Sequence, residues 1–326
     1  MRLMLSLCAG VCVLFVASLL IGPAEVALGE SIMALFQGGD SPIAMVMREI
    51  RLPRALLALM IGGSLGVAGA AMQGYLRNPL AEPGLLGVSG SAALGAVLSI
   101  QTGIAGVVAF ALPAFALAGA LIGVFVVMAL AGPRGSSLTL ILAGIAISAL
   151  AGALTSLVLN LSPNPFAANE IVFWMMGSLA DRSMVHVWIA LPLIVIGCFM
   201  LLRTARGLDA LTLGEDAAVA MGINLTRLRL TLIFGTAAVV GTSTAVAGAI
   251  GFVGLVVPHI LRPFVGARPG ALLWASGLGG AIMLLAADIA VRMILPERDL
   301  KLGVLTAIVG APLFLHLIYR TRREGL

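Results

Sequence analysis

The sequence predicts an all-α protein that crosses a lipid bilayer about ten times. Three observations predict it. Hydrophobic residues fill 61% of the 326 positions and charged residues only 10%, with mean hydropathy +1.15, whereas a soluble domain carries about 25% charged residues. Apolar runs of about 20 residues, long enough to cross a ~30 Å hydrocarbon core, recur along the whole chain. No polar linker or low-complexity segment divides them, so positions 1–326 read as one transmembrane domain.

Reading apolar runs against breakers places the spans at Met4–Ile21, Ala55–Leu76, Leu85–Ile100, Ile104–Leu130, Leu138–Leu161, His186–Leu201, Leu228–Ala249, a short one at Phe252–Phe264, Ala271–Leu295 and Leu302–Tyr319. The first 22 residues have the look of a signal peptide. No clear cleavage site follows them, and a retained first span fits the topology. Arginines set the orientation. With the N-terminus inside, twelve of the nineteen Lys and Arg residues fall in inner segments, and both termini are expected in the cytoplasm. The seven outer cations are Arg182 and two clusters, Arg48, Arg51, Arg54 and Arg292, Arg298, Lys301. Such a rim suits an acidic partner; snorkelling to lipid phosphates is the plainer account. The net charge of +5 is this boundary pattern, and no nucleic-acid partner is expected.

The second and seventh spans echo each other. Val67-Ala68-Gly69-Ala70 recurs as Val246-Ala247-Gly248-Ala249, in segments running in opposite directions, as inverted-repeat transporters require. The approximate halves are 50–161 and 228–320. Gly62, Gly63, Gly66 and Gly69 form a face on which helix backbones can approach, since a bilayer supplies no hydrophobic force between helices.

Between the second and third spans lies "RNPLAEPGLLGVSG", residues 77–90. Pro83 needs no donor at a first helical turn, and Glu82 suits a helix N-terminus. Irregular backbone at membrane depth survives only where it is buried or lines a wet cavity, so Asn78 and Leu80 are either gate residues or parts of a tight turn. Between the sixth and seventh spans, Leu213 to Met221 predicts a short helix with Glu215 and Asp216 at its start and Gly222 as its stop. It is too polar to insert, and is either a partner contact or an interfacial helix. Asp288 is the one deeply placed acid, with Arg292 four residues on and hence on the same face, which points to a structural ion pair ahead of a proton relay. Cys8, Cys12 and Cys198 lie in apolar runs without metal-ligand spacing, and His186, His259 and His316 stand singly, so no metal site is expected. There is no G-x-x-x-x-G-K-[ST] phosphate loop and no nucleophile–base spacing; ATP hydrolysis, if used, belongs to another chain.

"IRLPRALLALMIGGSLGVAGAAMQGYLRNPLAEPGLLGVSG" (Ile50–Gly90), "LTLGEDAAVAMGI" (Leu211–Ile223), "GAIGFVGLVVPHILR" (Gly248–Arg262) and "LGVLTAIVGAPLF" (Leu302–Phe314) closely resemble the permease family of ABC importers for iron chelates, haem and cobalamin. The resemblance implies the cobalamin-permease fold with inverted-repeat halves and a bacterial inner-membrane location. It implies a homodimer with the path at its interface, two ATPase subunits that carry the ATP and Mg, and a periplasmic substrate-binding protein; this chain itself holds no cofactor. Position by position, Arg51 and Arg54 match outer arginines that receive acids of the binding protein, with Arg292 a third contact. Asn78 and Leu80 match an inner gate. Ser136 and Ser137 fall at a second gate, where the following Leu138 departs from the family's pattern. Leu213, Gly214, Glu215, Asp216, Ala217, Ala218, Met221 and Gly222 match the coupling helix within 211–222 that fits a cleft on the ATPase. The rival class is an ion-gradient-driven secondary transporter, which needs buried, partner-poor acids. A membrane-embedded enzyme is a second rival, for which the sequence offers no catalytic constellation. The carried chelate is not legible in the sequence.

Overall fold

Backbone amides in hydrocarbon must be satisfied within their own segment, which selects helices. The computed structural model describes residues 2–22, 34, 41–108, 110–132, 136–294 and 300–324, and among these every regular element is helical. The helices are α1 (Arg2–Leu20), α2 (Leu52–Leu76), α3 (Val88–Gln101), α4 (Ala111–Ala131), α5 (Ser137–Asn160), α6 (Pro165–Met175), α7 (Met184–Leu202), α8 (Ala205–Leu211), α9 (Glu215–Ala220), α10 (Leu225–Ala247), α11 (Val253–Leu261), α12 (Pro269–Ile294) and α13 (Leu302–Glu324). Seven are long and apolar enough to span a membrane, and α3, α11 and α13 are shorter apolar helices. These ten match the ten predicted spans.

Three details depart from the sequence reading. The fourth span is shorter than expected, because Gly103 at φ +72° isolates a turn at Ile104–Val107 and α4 begins only at Ala111. A π-helical turn, Val46–Arg51, precedes α2, with the Leu52 N–H donating to Met47 O. The connection between the fifth and sixth spans contains α6, begun by Asn164, whose side chain accepts from Phe166 N, and by Pro165 at its first position.

The halves repeat their packing with inverted sense. Helix α2 lies on α12 as α10 lies on α4. Helix α3 packs against α4 and α5 as α11 packs against α12 and α13, and α11 meets α2 as α3 meets α10. The tetrapeptide echo is used differently in each half. Gly69 stays inside α2 and presses on the Gly254 carbonyl, whereas Gly248, at φ +73°, ends α10.

Helices α2 and α12 approach each other closely along their backbones. A Cβ on Gly62 would strike the Gly280 carbonyl, one on Gly66 the Ser276 carbonyl, and one on Gly280 the Gly62 carbonyl. The order shows that the two helices run antiparallel. With no apolar driving force between helices, this dispersion-rich contact is what holds them. Gly66→Leu should force the pair apart at a cost of about 1–3 kcal/mol or more. A lowered midpoint of thermal unfolding in detergent, with loss of the monodisperse species, is the expected result. Gly152→Leu, where a Cβ meets nothing within 4 Å, should leave both unchanged.

Candidate functional site

At the end expected from the arginine pattern to be the outer one, the last four carbonyls of α1 and its exit, Ser18 to Ile21, have no intrahelical partners. Two arginines supply them. Arg51 Nη1 donates to Leu19 O at 3.0 Å and Leu20 O at 2.9 Å. Arg292 Nη1 donates to Ser18 O at 2.9 Å and Ile21 O at 2.7 Å, and Nη2 to Ser18 Oγ at 2.7 Å. Asp288, fully buried, neutralises part of this charge: Arg54 Nε donates to Oδ1 at 2.8 Å, and Arg292 Nη2 lies 3.0 Å from Oδ2. The Asp288–Arg292 pair expected from spacing is present. The partly negative C-terminus of α1 supplies further compensation for the excess positive charge.

This geometry redirects the outer arginines. Arg51 is 3% exposed and Arg292 9%; Arg51 Nη1 is taken by main-chain carbonyls, and Arg292 by carbonyls, Ser18 Oγ and Asp288, so both side chains lie beneath the rim in this structure. The π turn leaves Arg51 facing α1. Arg54 keeps a partly exposed side chain at 15%. Lys301 lies over the Phe173 ring, 5.5 Å from its centroid. Arg298 lies outside the described residues.

At the opposite, arginine-rich end, Arg77 at φ +49° ends α2, and Asn78 makes a tight turn, its Oδ1 accepting from Leu80 N at 2.9 Å. The following backbone climbs back into the bundle. Gly254 packs on Pro83 and on Leu65 O, and Gly69, seven residues from the end of α2, presses on Gly254, about 10 Å deep at 1.5 Å per residue. Glu82 spans the two halves there: its Oε1 accepts at 3.3 Å from the amide of Phe252, the left-handed N-cap of α11. Gln73, also buried, donates to Leu255 O at 3.1 Å and accepts from Arg262 Nη2 at 2.6 Å. Ser136 is the N-cap of α5, its Oγ accepting from Thr139 N at 3.2 Å, and Ser137 is the first helical residue. Among the described residues no hydrogen bond joins Asn78 or Leu80 to Ser136 or Ser137.

The predicted polar helix forms as α9, shorter at both ends than the sequence suggests. Gly214 at φ +104° and Gly222 at φ +82° bound it, and Glu215 and Asp216 lie in its first turn. Ala218 is fully buried and seats the helix, Ala217 is half-buried, and Leu213, Val219 and Met221 are exposed. Helix α8 braces this unit. The main-chain oxygen of Asp209 accepts from Thr212 N and Oγ1, while its carboxylate accepts from Gly270 N at 2.7 Å, capping the N-terminus of α12, and lies 3.6 Å from Arg268.

Sequence reasoning missed Ser18, Gln73 and Asp209. A lone glutamine among alanines and glycines in a span was a readable signal for Gln73; nothing local marks Asp209 as a cap in trans.

Inverted helical halves around broken, re-entrant backbone, with a polar helix braced outside one end, define a membrane permease. The chain belongs to the FecCD transport family, whose profile matches residues 10–320. It is 39% identical over 277 residues to the vitamin B12 import system permease protein of Klebsiella pneumoniae, covering 85% of this chain and 83% of that one. It is 39% identical over 286 residues to the hemin transport system permease protein of Yersinia pestis (85% and 84%). The same identity holds over 277 residues for the Fe(3+) dicitrate transport system permease protein FecD of Escherichia coli (85% and 86%). A solved chain described as a metal-chelate type ABC transporter in an inward-facing conformation superposes with TM-score 0.87 at 32% identity, covering 98% of this chain and 99% of that one. The protein is therefore the permease subunit of an ABC importer, not an enzyme.

Arg51→Glu tests whether the outer arginine is a brace. Each carbonyl left buried without its donor costs about 1–3 kcal/mol, so the isolated variant should unfold at lower temperature in detergent with no binding protein present. Normal stability would return Arg51 to the docking surface.

Proposed function

We propose that two copies of this chain wall a path through which a metal-centred organic complex, such as a ferric siderophore, haem or cobalamin, enters the cell by alternating access. A loaded periplasmic binding protein docks on the outer rim. There Arg54 offers its exposed edge to an acidic side chain, and Arg51 and Arg292 keep the rim in shape from beneath. ATP and Mg bind two partner subunits, each receiving α9 of one copy. Asn78, Leu80, Ser136 and Ser137 close the inner end between transport cycles.

The observation that carries this reading is α9 itself. A short helix that, with its flanking residues, exposes Leu213, Val219 and Met221, the last at 62% exposure, is an unfavourable thing to leave in water and a natural insert for a cleft. Its link to α12 through Asp209 gives displacement at the partner a route into the bundle. The secondary-transporter reading is weaker, since Asp288 is engaged by both Arg54 and Arg292 and so is not the partner-poor acid an ion carrier needs.

Uptake by liposomes containing the permease and its ATPase, with loaded binding protein inside the donor compartment, should require ATP. Uptake driven by an ion gradient without nucleotide would overturn the proposal. Val219→Asp with Met221→Asp should cut uptake per ATP hydrolysed by about tenfold or more, the equivalent of about 1.4 kcal/mol of coupling. The exposed positions should leave thermal stability unchanged; an unchanged ratio of uptake to hydrolysis would remove α9 from the mechanism.

A further inference from the structure

A cavity of about 500 Å³ opens at the arginine-rich end between the end of α7, α8 and the start of α10. Arg203, Arg206 and Arg227 line it, all exposed, and none takes part in an ion pair among the described residues. No carboxylate lines it. The cavity also meets the N-terminus of α10, where Asn224 Oδ1 accepts from Arg227 N at 2.9 Å, so a 23-residue helix aims its positive end at the same space. Three unpaired guanidinium groups and a helix N-terminus in one concavity repel one another unless an anion is present.

The remaining wall mixes polar residues, Thr204, Asn224 and Thr231, with an apolar edge. Phe199 and Met200 line the cavity, and Ile196, Phe199, Met200 and Arg203 share one face of α7 by helical spacing. Ile196 and Phe199 are exposed, so the lipid-facing stripe of α7 runs straight into the arginines. Arg203 sits over the Phe199 ring, 5.6 Å from its centroid, its charge held at the boundary between hydrocarbon and water. A ligand filling this site is anionic at one end and apolar at the other.

We propose that this cavity binds the phosphate headgroup of an anionic phospholipid from the leaflet at that end, with an acyl chain lying along Ile196 and Phe199. Juxtamembrane arginines attract anionic lipids generally. What sets this site apart is convergence: Arg203 at the end of α7, Arg206 on α8 and Arg227 on α10 border one open concavity. Arg206 belongs to α8, the helix that braces α9 and caps α12, so lipid occupancy touches the segment that joins the partner-facing helix to the bundle.

The test is native mass spectrometry of the full chain extracted from nanodiscs of phosphatidylglycerol and phosphatidylcholine. The wild type should retain phosphatidylglycerol and not phosphatidylcholine, and Arg203→Gln with Arg227→Gln should lower retention about tenfold or more, as the loss of two juxtamembrane charges implies. Arg2→Gln with Arg77→Gln, which removes as much charge from the same end outside the cavity, should retain the lipid. The single variants Arg203→Gln and Arg227→Gln, each expected to show a smaller loss, keep the comparison open if the double variant is unstable. Equal retention by the cavity variants and the control overturns the site. Displacement of the lipid by millimolar inorganic phosphate assigns it to a free anion and overturns the lipid reading. Loss of ATPase association with lipid retention unchanged gives the surface to that partner and does the same.

Discussion

One carboxylate, Asp288, makes the outer end of this bundle possible. Arg54 and Arg292 converge on it within 3.0 Å, and Arg51 lies nearby, bound to the same helix exit as Arg292. Burying cations so close together is costly unless each finds a partner. The partners are Asp288 and four carbonyls that α1 cannot satisfy itself. The arrangement solves two problems at once, the unpaired carbonyls of a helix end in a bilayer and the charge of three arginines. It also fixes α1, α2 and α12 to one another at a depth where hydrophobic association is absent.

The constraint reaches the other end through α12. This 26-residue helix, about 39 Å long, is pinned at its outer end by Asp288 and Arg292 and capped at its N-terminus by Asp209. Along its length it lies against α2 through glycines that admit no Cβ. A rod fastened in this way cannot tilt without straining the outer ion network or the cap beside α9. On the proposed function this is the element that carries work from the partner-facing helix to the outer rim. The re-entrant turn, tied by Glu82 and Gln73 to α11, couples the two inverted halves at the inner third of the bundle.

Most of the fold was legible because bilayer solvation leaves few choices. Apolar run length fixed the spans, and Gly62, Gly66 and Gly69 announced a packing face. The boundaries set by left-handed residues, such as the break after Gly103, were not legible, since many glycines here serve packing and look the same in sequence. The site was legible in part. Spacing found the Asp288–Arg292 pair and the acids of α9, whereas for Asn78 the sequence left a gate and a tight turn equally open. Spacing could not say that Arg51 faces inward, because a π turn rotates it and its acceptors are main-chain carbonyls 31 and 32 residues away. The bond between Asp209 and Gly270 is likewise a tertiary contact, 61 residues apart in sequence.

The most direct measurement is a double-mutant cycle on the unfolding free energy, combining Asp288→Asn with Arg54→Gln in the detergent-solubilised chain. Groups that share one buried network show interaction energies of about 0.5–3 kcal/mol. The account predicts a coupling in that range, with the double variant more stable than the two single losses would sum to. Additive losses would mean that Asp288 and Arg54 do not stabilise each other, and the outer end would need another explanation.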